Sequence, residues 1–121
     1  MSSRQAAERR GRLAEYFAAV WLMAKGYRIV AHRARTPFGE VDLAALKGRT
    51  LAVVEVKARR TRREALESVG LRQRERVARA GLALARRLRL HGASVRLDLV
   101  IVRPWAPPEH LRDAWRHGES S

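Results

Sequence analysis

The stretch Leu51-Ala52-Val53-Val54-Glu55-Val56-Lys57 constrains this fold more than any other part of the sequence. Alternate side chains of a strand point to opposite faces, so a run that is apolar at successive positions has no face to give to water. It reads as a central strand buried on both sides, and such a strand needs helices above and below its sheet. The flanking periodicity supplies them. Residues 5 to 25 contain no proline, end at Gly26 and carry Leu13, Phe17, Val20, Trp21 and Ala24 at helical spacing. A second stripe of small residues, Ala7, Gly11, Ala14, Ala18 and Leu22, runs along the other side, so this helix is expected to be covered on two faces. From Leu71 to Leu90 the pattern is helical again, with Val77, Gly81, Leu84 and Leu88 on one face and His91-Gly92 closing it.

Shorter signals complete the order. Tyr27 to Arg33 and Glu40 to Leu46 read as strands joined into a hairpin by Thr36-Pro37-Phe38-Gly39, and Lys47-Gly48-Arg49 turns the chain into the central strand. Residues 58 to 67 are polar and strongly basic and read as a loop, and Val95 to Val102 is a last strand stopped by Pro104. The expectation is an α/β fold of order helix-strand-strand-strand-helix-strand, a mixed central sheet flanked by helices. One domain spans residues 1–103. Residues 104–121 form a tail, frayed at Gly118-Glu119-Ser120-Ser121, in which Leu111 and Trp115 mark a short docking helix at 109–116.

Charge narrows the function. The 121 residues carry 26 Lys plus Arg against 12 Asp plus Glu, a net charge of +14, which points to a polyanion partner such as nucleic acid. A membrane surface is the competing basic reading, but it wants a helix with large apolar anchors free on one face, and here the apolar faces are expected to build the core. No apolar stretch approaches the ~18 residues of a membrane span, and Met1-Ser2-Ser3-Arg4-Gln5 lacks the apolar centre of a signal peptide. The chain therefore reads as soluble, unexported and cytoplasmic, with a homodimer left open. The absence of cysteine removes disulfides, thiolate-ligated metals and a thiol nucleophile.

Most other chemistry is also excluded. His32, His91, His110 and His117 have no metal-helix spacing and read as surface or capping residues, no glycine run resembles a phosphate loop, and no serine sits in a nucleophile elbow. What remains is an acidic constellation in a basic protein: Glu40-Val41-Asp42 on one strand and Glu55-Val56-Lys57 on the next. Asp42 and Glu55 at the ends of neighbouring strands would approach to about 4 Å, where repulsion costs roughly 4 kcal/mol at an effective dielectric of 20. A divalent cation relieves that cost, and two carboxylates with open water positions suit magnesium or manganese, with Lys57 on the same face as Glu55. The bland counterpart is a cross-strand ion pair on a solvated face, and spacing alone favours it. Against it, both carboxylates border apolar runs near the sheet centre, where an idle charge is expensive. Glu15 reads from periodicity as an exposed helical glutamate, and Asp98 as the partner of a nearby arginine.

The succession Gly11-x3-Glu15-x2-Ala18, Gly26-Tyr27, Gly39-Glu40-Val41-Asp42-Leu43 and Val53-Val54-Glu55-Val56-Lys57-x-Arg59 resembles the YraN family of small bacterial proteins. Arg72-Gln73 and Leu111-x2-Ala114-Trp115 extend the resemblance over nearly the whole chain. It implies the restriction-endonuclease-like fold of the PD-(D/E)xK nuclease superfamily, and similarity to archaeal Holliday junction resolvases. By the resemblance, Asp42 and Glu55 are the acidic metal ligands, Lys57 the catalytic lysine, and Glu15 the added metal ligand of resolvase-like members. Val41 stands where the superfamily's name has proline, and Arg72 where the family usually has lysine.

Two basic stretches fit a phosphate backbone. Arg72, Arg76, Arg79 and Arg86 lie opposite the apolar stripe of the second long helix, and Arg59, Arg60, Arg62 and Arg63 follow Lys57 at once. The expected function is a magnesium- or manganese-dependent endonuclease hydrolysing phosphodiester bonds, with DNA preferred and branched DNA among the candidate substrates. The alternative is a catalytically silent nucleic-acid-binding domain or adaptor of the same fold.

Overall fold

The strand containing Glu55 and Lys57 lies at the centre of a five-stranded sheet. In the computed structural model, which describes residues 2–114, the elements are α1 (Ser3–Ala24), β1 (Arg28–Thr36), β2 (Gly39–Lys47), β3 (Thr50–Ala58), α2 (Arg62–Glu67), α3 (Leu71–Arg87), β4 (Ser94–Val102) and β5 (Glu109–Leu111). The sheet order is β1-β2-β3-β4-β5, with β2 antiparallel to both β1 and β3, β3 parallel to β4, and β5 antiparallel to β4. Leu51 and Val53 of β3 pack in one apolar cluster with Val77, Ala80 and Leu84 of α3, whereas Ala52 and Val54 pack in another with Ala18 and Leu22 of α1. The apolar run is thus covered on both faces. This is the α/β arrangement of a mixed sheet flanked by helices that its pattern requires.

Local chemistry sets the boundaries. Ser2 caps α1 in a reciprocal pair with Gln5, and the helix stops at Gly26, whose φ of 92° lets Gly26 N–H and Tyr27 N–H return to the carbonyls of Met23 and Leu22. The β1–β2 hairpin closes with Thr36 opposite Gly39, and Thr36 Oγ1 accepts from Phe38 N–H while donating to the Gly39 carbonyl.

Three expectations need correction. Residues 58 to 67 are not all loop: Thr61 caps α2 by accepting from Glu64 N–H, Glu64 sits in the first turn where the helix dipole favours it, and Ala65 is buried. The density of arginine concealed this capping pattern. The stretch 109–111 is not part of a docking helix but strand β5, paired antiparallel to β4 and too short to show a hydrophobic periodicity. Trp115, His117 and residues 118–121, expected to fray, lie outside the described residues. Finally, α1 is covered on one face only: Ala14, Ala18 and Leu22 are buried, while Leu13, Phe17, Val20 and Trp21 are 37–52% exposed. Small residues let the helix axis approach the sheet, and the larger stripe is turned away.

A similar close approach occurs on the other face. A Cβ placed on Gly81 of α3 would lie 2.7 Å from Val53 Cγ2 and 3.3 Å from Val95 Cγ1. Gly81→Ala should therefore destabilise the protein by roughly 1 to 3 kcal/mol in a urea titration, overriding the alanine's helix preference. A neutral or stabilising result would mean that α3 can lift off the sheet without loss.

Candidate active site

Asp42 stands where two strands part. The β2–β3 ladder runs from Lys47↔Thr50 to Leu43↔Val54, and one more step of the register would set Asp42 opposite Glu55. Instead the Asp42 carboxylate accepts the Val56 N–H at 2.9 Å, taking the place of a backbone partner. Side-chain alternation breaks at the same point: Val41 belongs to the α3-side cluster and Leu43 to the α1-side cluster, although residues two apart normally share a face. On β1, Arg33, which the register sets opposite Asp42, has a left-handed φ of 49°. The strand pair is wrenched where the acids meet.

This position raises the affinity of Asp42 for a proton. Burial, then the neighbouring negative charge of Glu55, push its carboxyl up to about 6, against a lowering by the Val56 N–H. Glu55 is buried on β3, with Lys57 Nζ 3.6 Å from Oε1, Gln73 Nε2 donating to Oε1 at 2.8 Å, and an Arg76 nitrogen 3.8 Å from Oε2. The three residues singled out by spacing are brought to one end of the central strand, with Glu55 on the face covered by α3.

Glu15 departs from the expected exposed glutamate. It is 8% exposed and is held by Arg33 Nε at 2.7 Å and His32 Nε2 at 3.0 Å. It lies in the stripe of small residues, and that is the stripe turned to the sheet. Among the described residues no group of three or more His, Asp or Glu side chains gathers as a cation site. Asp42 and Glu55 remain as a pair, with Glu15 engaged by β1.

Comparison with known proteins joins this geometry to the motifs. Residues 14–102, which span both acidic motifs, match the family described as "Uncharacterised protein family UPF0102". The chain belongs to the UPF0102 family. It is 52% identical to the UPF0102 protein of Maricaulis maris over 120 residues, covering 98% of this chain and 94% of that one. It is 55% identical to the UPF0102 protein of Caulobacter vibrioides over 111 residues, covering 91% and 89%. It is 50% identical to that of Paramagnetospirillum magneticum over 117 residues, covering 93% and 91%. The resemblance to the YraN family, carried by Gly39 to Leu43 and Val53 to Lys57, is thereby borne out.

In this UPF0102 family member the arginines divide into groups. Arg62 pairs with Glu109 at 2.7 Å and Arg63 with Glu67 at 2.9 Å, whereas Arg60 is exposed and Arg59 donates to the Ala58 carbonyl. On α3, Arg72 and Arg79 are exposed, but Arg76 reaches past the helix edge to Glu55 and to the Glu40 carbonyl at 3.1 Å. Gly39 makes room for it: a Cβ there would lie 2.6 Å from the Arg76 guanidinium, and its φ of 129° also favours glycine.

Sequence reasoning missed the partners of the acids. Gln73 lies four residues before Val77, on the buried side of α3, and a lone amide at the end of an apolar stripe is the signal that could have found it. His32 and Arg33 gave no such signal. Both reach Glu15 from adjacent positions of β1, beside a register shift between Ile29 and Ala31 that no local pattern announces. Asp98 is paired with Arg96 as expected, and His110 is buried beside it rather than on the surface. No helix among the described residues is long and apolar enough to cross a membrane.

Proposed function

We propose that this protein is a metal-dependent nuclease that hydrolyses phosphodiester bonds in nucleic acid, DNA in preference, with Asp42, Glu55 and Lys57 as its reacting centre. The observation that carries the reading is Asp42: a half-buried carboxylate at the opening of β2 from β3, destabilised by burial and by Glu55, with no cationic hydrogen-bond partner among the described residues. A structural ion pair would relieve that strain; a cation-binding pair retains it. The donor set fits a hard divalent cation, since two carboxylates supply oxygens and leave the other positions to water and phosphate, as magnesium and manganese prefer.

Asp42 and Glu55 would hold the cation, which when bound polarises a phosphate oxygen and acidifies water. The chain's own groups do the rest. Val56 N–H orients the Asp42 carboxylate through one oxygen. Gln73 fixes the Glu55 rotamer from α3. Lys57, next to Glu55 and partly buried, supplies a positive charge where negative charge develops on the phosphate. Arg72, Arg79 and Arg60, all exposed, would bind backbone phosphates, and an electrostatic footing of this kind weakens steeply with salt.

One observation favours the silent binding domain as a second reading: Lys57, Gln73 and Arg76 already surround Glu55 and satisfy its charge. Glu55→Gln separates the two. In the nuclease reading nicking of supercoiled or branched DNA with magnesium or manganese falls by 10²-fold or more, while DNA affinity in chelator is equal or higher because an anion has gone. For the silent domain, the wild type is inactive on every substrate, and the substitution lowers melting temperature and DNA affinity together. Paired nicking, gel-shift and thermal-melt measurements distinguish these outcomes.

A further inference from the structure

A groove of about 990 Å³ runs between α1 and residues 104–108 and contains none of Asp42, Glu55 and Lys57. Its floor includes Ala58 and Val102, at the ends of β3 and β4. Ala58 immediately follows Lys57 but points to the opposite face of the sheet, by the alternation that sets Val56 and Val102 against the α1-side cluster. One wall is the uncovered stripe of α1, with Phe17 and Trp21; the other carries Trp105. Among the described residues the charged lining is all of one sign: Arg10, Arg59, Arg60 and Arg103 face the groove, and no carboxylate does.

Two details go unexplained by folding. Trp105 has its ring wholly in solvent, yet its φ of 62° is a backbone conformation that a bulky residue avoids. Arg103 Nε is buried without a hydrogen-bond partner among the described residues. An aromatic ring displayed at some backbone cost, beside Arg103, whose Nε is unpartnered although Nη2 lies 3.9 Å from Glu109, matches the requirements of a ligand with flat faces and anionic links. A second copy of this chain would set arginines against arginines. A membrane helix presents its apolar side chains on a projecting face, whereas these line a concavity.

We propose that this groove binds an unpaired stretch of nucleic acid, its bases against Trp105, Trp21 and Phe17 and its phosphates against Arg10, Arg59, Arg60 and Arg103. The inference rests on the nuclease reading and deepens it: the substrate carries a single-stranded segment beside the bond to be cut, its strand led past the end of β3.

The test is fluorescence anisotropy of a labelled 12-nucleotide oligothymidylate and of a matched duplex, in chelator, with the full chain. Trp105→Ala should weaken single-strand binding about 5- to 150-fold, the range for loss of one base–aromatic stack. Trp105→Phe should keep most of the affinity, and duplex binding should change less than threefold. Unchanged single-strand affinity in Trp105→Ala, or an equal loss on the duplex, overturns the proposal. Dimer dissociation in sedimentation, or lost binding to phosphatidylserine vesicles, with oligonucleotide affinity unchanged, overturns it in favour of a second copy or a membrane surface. A wild type that never cleaves while Trp105→Ala still loses the single strand removes the nuclease reading and leaves the groove.

Discussion

Asp98→Ala should cost about 3 to 5 kcal/mol of stability, the usual penalty for breaking a buried ion pair from one side. For a chain of this size that is a fall in melting temperature of roughly 12 to 20 °C. Asp98 has no exposed surface and takes two hydrogen bonds from Arg96 at 2.8 Å, one from His110 Nε2 at 2.7 Å and one from Asp113 N–H at 3.1 Å. Lys25 Nζ, 2.6 Å from His110 Nδ1, can only donate there as an ammonium, so the ring proton sits on Nε2 and points at Asp98. Burial alone would raise the Asp98 carboxyl, but the hydrogen bonds from His110 and Arg96 outweigh it and hold the group below its usual range. Its contribution is therefore complete at neutral pH and is lost as pH falls below the ordinary carboxylate value through the depressed one. Arg96→Ala should also destabilise strongly, and the double variant should lose 1 to 3 kcal/mol less than the sum. Additive losses would show that the pair acts as two separate groups. Because His110 lies in β5 and Asp113 follows that strand by two residues, the alanine variant should also speed hydrogen exchange there before the central sheet opens.

Asp42→Asn should do the reverse and stabilise the metal-free protein. The Asp42 carboxyl is pushed up to about 6 from 3.8, so the folded state holds a proton more tightly than the unfolded chain does. Wild-type stability then falls as pH rises from about 4 to about 6, and the whole cost, roughly 2 to 3 kcal/mol, is present above that. Asparagine can still accept the Val56 N–H while removing the repulsion from Glu55. Urea titrations in chelator should show the variant more stable at pH 8, with the advantage shrinking through pH 6 and gone near pH 4. Adding magnesium should raise the melting temperature of the wild type and leave that of the variant unchanged, with nicking lost in the variant. An advantage that does not change with pH would mean that Asp42 is not strained by charge, and the cation pair would lose its support.

Much of the fold follows from local pattern. The apolar run at Leu51 to Val54 announces a strand covered on both faces, Gly26 ends α1, and Pro37-Phe38 turns a hairpin. These are short-range effects: alternation, capping and turn chemistry act within a few residues, so they can be read in order along the chain. α2 and β5 were not legible for opposite reasons. Thr61 and Glu64 form a readable cap that a run of arginines hides, while β5 is held by Asp98, eleven or more residues away along the chain.

The candidate site shows the same division. Sequence alone determined that Asp42, Glu55 and Lys57 share a strand pair, because hairpin register and strand alternation bring them within reach whatever else the chain does. It also determined the excess of positive charge. The tertiary structure decided that Asp42 takes a backbone N–H where β2 leaves β3, and that Glu15 turns inward to Arg33. It likewise decided that α1 leaves Phe17 and Trp21 exposed and covers Ala14 and Ala18. Helical periodicity finds both stripes of α1 but does not rank them. Only the distance at which a helix can settle on the sheet does so, and small side chains permit the closest approach.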